Sequence, residues 1–133
     1  MNFTFYQKQR IEEIFKKYNL KLVLLFGSQV LKKVTKESDI DIAVLPQKFL
    51  SFKEEIELIS ELINILGNVD VTNLRKASPL LLKEIIDNCQ ILYPKGRNEF
   101  DRLEVYALQK FAEAKVIFKM HRERIKEFIQ GYD

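Results

Sequence analysis

A chain of 133 residues, 47% hydrophobic and 31% charged, is sized and composed for one globular domain with a substantial core. Its net charge of +3 is spread over interspersed lysines and glutamates with no compact basic block, which argues against direct nucleic-acid binding. A single cysteine excludes an internal disulfide framework and a cysteine–histidine zinc site, no window approaches a membrane span, and Met1 to Lys8 lacks the apolar stretch of a signal peptide, so a cytoplasmic protein is expected.

Taken in chain order, Ile11, Ile14, Phe15 and Tyr18 recur at helical spacing and predict a first helix from about Phe5 to Tyr18. Leu22-Val23-Leu24-Leu25-Phe26 is a continuous apolar run that predicts a buried strand ending at Gly27. Ile40 to Leu45 predicts a second strand, closed by Pro46. Ser51-Phe52-Lys53-Glu54 is a capping box that opens a helix through Leu58, Ile59, Leu62 and Ile65, and Gly67 stops it. Val69 to Leu74 reads as a strand, Ser78-Pro79 as the start of a helix ending near Asn88, and Gln90 to Tyr93 as a last short strand before Pro94. Cys89 is expected to be a small core residue.

Asn98 is expected to cap a helix that runs without Gly or Pro to Gly131. Leu103, Ala107, Phe111, Ala114, Phe118, Ile125 and Phe128 form one stripe along it, and Val105, Leu108, Ala112 and Val116 a second row. At 1.5 Å per residue the helix is about 45–50 Å long, whereas a compact core of roughly 95 residues is about 30 Å across. It must therefore overhang, kink or meet a partner, and His121 falls on its surface or in such an interface. The expected fold is α/β (α+β), a small mixed β-sheet flanked by helices. Residues 1–94 form its core, and residues 95–133 a C-terminal helix that is part of the same domain or a partner interface.

Two segments carry chemistry. Gly27-Ser28 follows the first strand, where a glycine lets the backbone approach a ligand and the serine offers a hydroxyl and an N–H. In Ser38-Asp39-Ile40-Asp41-Ile42-Ala43-Val44, strand alternation puts Asp39 and Asp41 on one face and Ile40, Ile42 and Val44 on the other. Paired carboxylates repel unless a cation lies between them, and hard oxygen ligands suit Mg²⁺ held together with substrate phosphates. Asp70, between Val69 and Val71, leaves the apolar face and can point the same way. Read singly, each aspartate is equally a turn cap or a solvent-facing strand residue; their joint occurrence after a glycine-serine turn favours a site. Lys32, Lys33 and Lys36 offset a triphosphate's charge or simply form a solvated loop.

Gly27-Ser28, Asp39-x-Asp41 and Asp70 together resemble the signature of the DNA polymerase β-type nucleotidyltransferases, in their minimal (MNT) branch, from about Lys21 to Tyr93. More loosely, through the C-terminal helix, the chain resembles the antitoxins paired with HEPN-domain toxins. The resemblance implies a nucleotidyltransferase fold in which Asp39 and Asp41 hold two Mg²⁺ ions, Asp70 completes the catalytic one and helps activate the attacking hydroxyl, and Gly27 and Ser28 hold the triphosphate. It implies transfer of AMP from ATP to a tyrosine hydroxyl of a HEPN-family toxin. Val30, Leu31 and Lys32 depart from the small, basic and glycine residues frequent there in the family. A binding-only antitoxin acting through the long helix and a transferase acting on an aminoglycoside-like alcohol stay open.

Overall fold

The computed structural model describes residues 3–27 and 40–131. Along them run α1 (Phe5–Lys17), β1 (Leu20–Phe26), β2 (Ile40–Pro46), α2 (Phe52–Leu66), β3 (Val69–Asn73), α3 (Pro79–Asp87), β4 (Cys89–Tyr93) and α4 (Asn98–Gln130). Every element expected from the sequence is present. Ser28, Val30, Leu31, Lys32, Lys33, Lys36 and Asp39 lie outside the described residues.

The helix ends follow their local chemistry. Ser51 Oγ accepts from the Glu54 N–H at 3.2 Å while Glu54 Oε1 accepts from the Ser51 N–H at 3.3 Å, so each satisfies a backbone donor that the first turn leaves over. Thr4 and Gln7 make the same reciprocal pair at 3.1 and 2.9 Å in front of α1. Ser78 Oγ accepts from the Leu81 N–H at 3.2 Å ahead of Pro79. Gly67 ends α2 with φ of 80°. The start of α4 corrects the expectation for Asn98. Arg97 occupies the cap position in helical conformation without a side-chain cap, its carbonyl already accepts from the Asp101 N–H at 2.8 Å, and Asn98 is the first helical residue.

The four strands form one sheet in the order β3-β2-β1-β4. The β1–β2 and β1–β4 pairs are antiparallel, whereas β2 and β3, joined through α2, are parallel. This is the mixed sheet the sequence predicts. Central β1 is buried on both faces, which is why it reads as an unbroken apolar run. Val23 and Leu25 pack with Ile40, Ile42 and Val44 against Ile11 and Ile14 of α1 and Leu58 and Leu62 of α2. Leu22 and Leu24 pack on the opposite face with Ala43 against Leu82 and Ile85 of α3 and Phe100, Leu103 and Ala107 of α4. A register shift between Leu20 and Leu22 moves Leu20 onto the α1/α2 face, against strict alternation. The α1/α2 layer is clasped at its rim by Glu61, which accepts from the Tyr18 hydroxyl at 2.6 Å and from Lys17 Nζ at 2.9 Å.

The long helix overhangs. Only Phe100, Leu103 and Ala107 of α4 are buried; from Lys115 onward its residues are exposed, Val116, Phe118, His121 and Ile125 among them. The second apolar row, Val105, Leu108, Ala112 and Val116, is exposed as well. No helix among the described residues is long and apolar enough to cross a membrane.

Leu24 lies at the centre of the α3/α4 layer with no exposed surface. Leu24→Ala is expected to destabilise the protein by about 2–5 kcal/mol through lost burial plus the cavity left behind. Urea titration checks this, with a lower midpoint and an unchanged slope as the expected result.

Candidate active site

Gly27, Asp41 and Asp70 come from three segments and converge on one end of the sheet. In the antiparallel β1–β2 pair Phe26 stands opposite Asp41, so the chain leaves β1 at Gly27 beside the start of β2. In the parallel β2–β3 pair Asp41 stands directly opposite Asp70, with Ile40 opposite Val69 and Ile42 opposite Val71. Ile40, Ile42, Val69 and Val71 all face the α1/α2 layer. Alternation therefore turns both aspartates to the other face, on adjacent strands about 4.8 Å apart. The face expected for Asp41 from the isoleucines, and for Asp70 from the valines, is the face observed.

Gly27 is shaped to this arrangement. Its φ is 78°, in the left-handed region where a side chain is strained. A Cβ built on it would overlap the Asp41 carboxylate, reaching 3.1 Å from Cγ. The glycine thus lets the Asp41 carboxylate lie against the backbone of the β1 exit. Asp41 is half-buried and Asp70 is exposed, so the pair runs from the sheet to open solvent.

Two carboxylates turned to the same face from adjacent strands repel each other. A bound cation reverses the sign of that interaction. The donors are all carboxylate oxygens, the hard ligand set that Mg²⁺ takes together with substrate phosphates, so the described part of the site fits this ion. Among the described residues no third His, Cys, Asp or Glu joins the pair.

Cys89 pairs with Phe26 at the same end of the sheet. It is half-buried, packed against the α3/α4 layer rather than inside it as the sequence suggests, and burial pushes its thiol up to about 11, so the thiol form dominates near neutrality. At the opposite end of β2, about 13 Å from Asp41, lies a cleft of about 460 Å³ bordered by Lys21, Arg75, Arg102 and Lys110. The sequence reading did not single out Arg75. Its guanidinium donates to the carbonyls of Pro46 at 2.6 Å and Gln47 at 2.5 Å, tying the β3–α3 turn to the end of β2. This is a packing role that a lone arginine in a turn does not signal.

The chain matches the family model for polymerase beta nucleotidyltransferases over residues 9–98. It belongs to that family. It is 30% identical over 124 residues to the protein adenylyltransferase MntA of Aphanizomenon flos-aquae (strain 2012/KM1/D3), covering 85% of this chain and 83% of that protein. This likeness puts it in the minimal nucleotidyltransferase branch, as the arrangement of its acids suggested. Its fold resembles a chain of a toxin–antitoxin complex solved with AMP-PNP, with a TM-score of 0.74 and 24% identity over 90% of this chain and 98% of the other. It also resembles a chain from the structure of a tri-AMPylated Shewanella oneidensis HEPN toxin in complex with an MNT antitoxin, with a TM-score of 0.69 and 22% identity over 91% and 97% of the two chains.

Gly27→Ala is expected to displace the Asp41 carboxylate and to strain the backbone at positive φ. Stability should fall by about 1–3 kcal/mol, and Mg²⁺-dependent ATP binding should weaken at least about tenfold. Thermal unfolding with and without Mg²⁺-ATP separates the two effects, because only a damaged site loses the ligand-induced rise in Tm.

Proposed function

We propose that this nucleotidyltransferase is a Mg²⁺-dependent antitoxin that moves AMP from ATP onto a tyrosine hydroxyl of a HEPN-family toxin in the cytoplasm and so silences it. The observation that carries the reading is the in-register pairing of Asp41 with Asp70 beside a left-handed glycine, in a chain 30% identical to a protein adenylyltransferase. Support for the partner comes from the fold's likeness to chains of toxin–antitoxin complexes, one with an AMPylated HEPN toxin.

In this reading residues 1–94 are the catalytic core and residues 95–133 extend it towards the partner. Gly27 and Ser28 hold the triphosphate. Asp39, Asp41 and Asp70 form the carboxylate set that holds two Mg²⁺ ions, whose chemistry when bound is to neutralise charge on the entering and departing oxygens. Asp70, more open than Asp41, orients the acceptor hydroxyl and draws off its proton. The hydroxyl oxygen forms a bond to the α-phosphorus as the bond to the β-phosphate oxygen breaks, and pyrophosphate leaves with the electron pair. Positioning and charge neutralisation supply most of the acceleration.

One observation favours a second reading. The exposed apolar row of α4 would let the protein neutralise a partner by binding alone. Incubating the protein and its toxin with Mg²⁺-ATP and weighing the toxin by intact mass spectrometry separates the two. Added AMP units are expected with the native protein, and a fall in rate of roughly two orders of magnitude or more in Asp70→Asn and Asp41→Asn with toxin binding retained. Neutralisation without any mass change would leave the binding-only antitoxin. Equal addition by both variants would mean that other groups hold the metal.

A further inference from the structure

Beyond Phe111, α4 leaves the body of the protein. The Phe111 ring is flanked by Lys83 Nζ of α3 at 5.2 Å and Lys115 Nζ of α4 at 4.8 Å from its centroid. More than five further turns follow. The stripe that carries Phe100, Leu103 and Ala107 into the core does not end with the core. It continues as Phe111, Ala114, Phe118, His121 and Ile125, at steps of three, four, three and four residues. That is the spacing of a coiled-coil seam. Phe118 is 73% exposed and Ile125 56%. Leu80 of α3 joins Phe111, Ala114 and Phe118 in a shallow groove of about 490 Å³, so the seam has a floor at its root.

The charges beside the seam are sorted. With Phe111, Phe118 and Ile125 at the first seam position of each heptad, Lys115, Ile117, Arg122 and Arg124 take the flanking places that reach across to a facing helix, and three of the four are cations. No acidic residue takes one between Phe111 and Ile125. Glu113, Glu123 and Glu127 lie on the far side of the helix. Antiparallel pairing of two copies would set Lys115 and Arg122 of one against the same residues of the other, and parallel pairing would give these cations no counter-charge.

We infer that the overhanging part of α4 is the docking surface for a helix of the toxin partner, one whose apolar seam is flanked by acidic residues. This rests on the antitoxin reading above and adds the place and chemistry of recognition. The seam supplies burial and the basic flank selects the partner and its register.

Calorimetric titration of the toxin into the full-length protein tests this with two variants on exposed positions, the double change Lys115→Glu with Arg122→Glu, and Phe118→Ser. Circular dichroism checks that both keep their helix. Each is expected to weaken toxin binding at least tenfold, with Mg²⁺-ATP affinity unchanged. The charge variant should also bind less weakly as salt is raised, the reverse of the native protein. Toxin affinity within twofold of native in both variants, while Asp70→Asn still abolishes AMP transfer, would overturn this inference and leave the enzymatic reading intact. Native binding to phosphatidylserine vesicles that both variants lose, with toxin binding untouched, would overturn it in favour of a membrane. A native dimer dispersed by Phe118→Ser, again with toxin binding untouched, would overturn it in favour of a second copy. Absence of any complex between the native protein and the toxin would bring down the antitoxin reading and this inference together.

Discussion

The contact between a carboxylate and a missing side chain organises the acidic end of this protein. Asp41 can lie against the exit of β1 because residue 27 has no Cβ, and residue 27 can take its left-handed turn for the same reason. Everything else at the site is counted from that contact. The antiparallel register fixes Asp41 opposite Phe26, and the parallel register fixes Asp70 opposite Asp41. A one-residue slip in either pair would turn an aspartate into the α1/α2 core and an aliphatic residue out of it. The hydrophobic layers thereby hold the acids in register without touching them.

Much of this is legible in the sequence because the controlling signals are local. Serine followed by glutamate three residues on, or by proline, states where α2 and α3 begin; valines flanking Asp70 state which face it takes. The Thr4–Gln7 pair carries the same signal in a weaker form and was missed. Other features depend on distant partners. The placement of Leu20 comes from a bulge in its pairing with β2, the order β3-β2-β1-β4 from which faces the helices cover, and the tether from Arg75 from carbonyls that only the folded chain brings near. Asn98 misled because its residue type suits a cap while Arg97 had already entered the helix. For the long helix, length and stripe foretold that it could not be contained, and the folded chain resolved this as an overhang.

The same face of the sheet carries the acids and the root of α4. Ala43, two residues along β2 from Asp41, is buried beneath the layer to which Phe100, Leu103 and Ala107 belong. Anything attached to α4 is therefore attached to the side of the sheet that carries the acids. Family membership accounts for the acids; if the docking proposed for α4 holds, the helix that covers their side of the sheet and then leaves it is what would direct that shared chemistry to one acceptor.

The parallel pairing of β2 with β3 has a consequence for how the site comes and goes. Asp41 and Asp70 are far apart in the chain, and the connection between their strands is α2, which must lie over the sheet for the strands to run side by side. The acid pair is therefore an indirect report on whether α2 is seated on Ile42 and Val44 and clasped at Glu61. A fluctuation that lifts α2 while the α3/α4 layer stays intact would separate the carboxylates without unfolding the molecule. Amide exchange in β3 and affinity for the nucleotide would then share one opening equilibrium, set by a helix that contributes no residue to the chemistry.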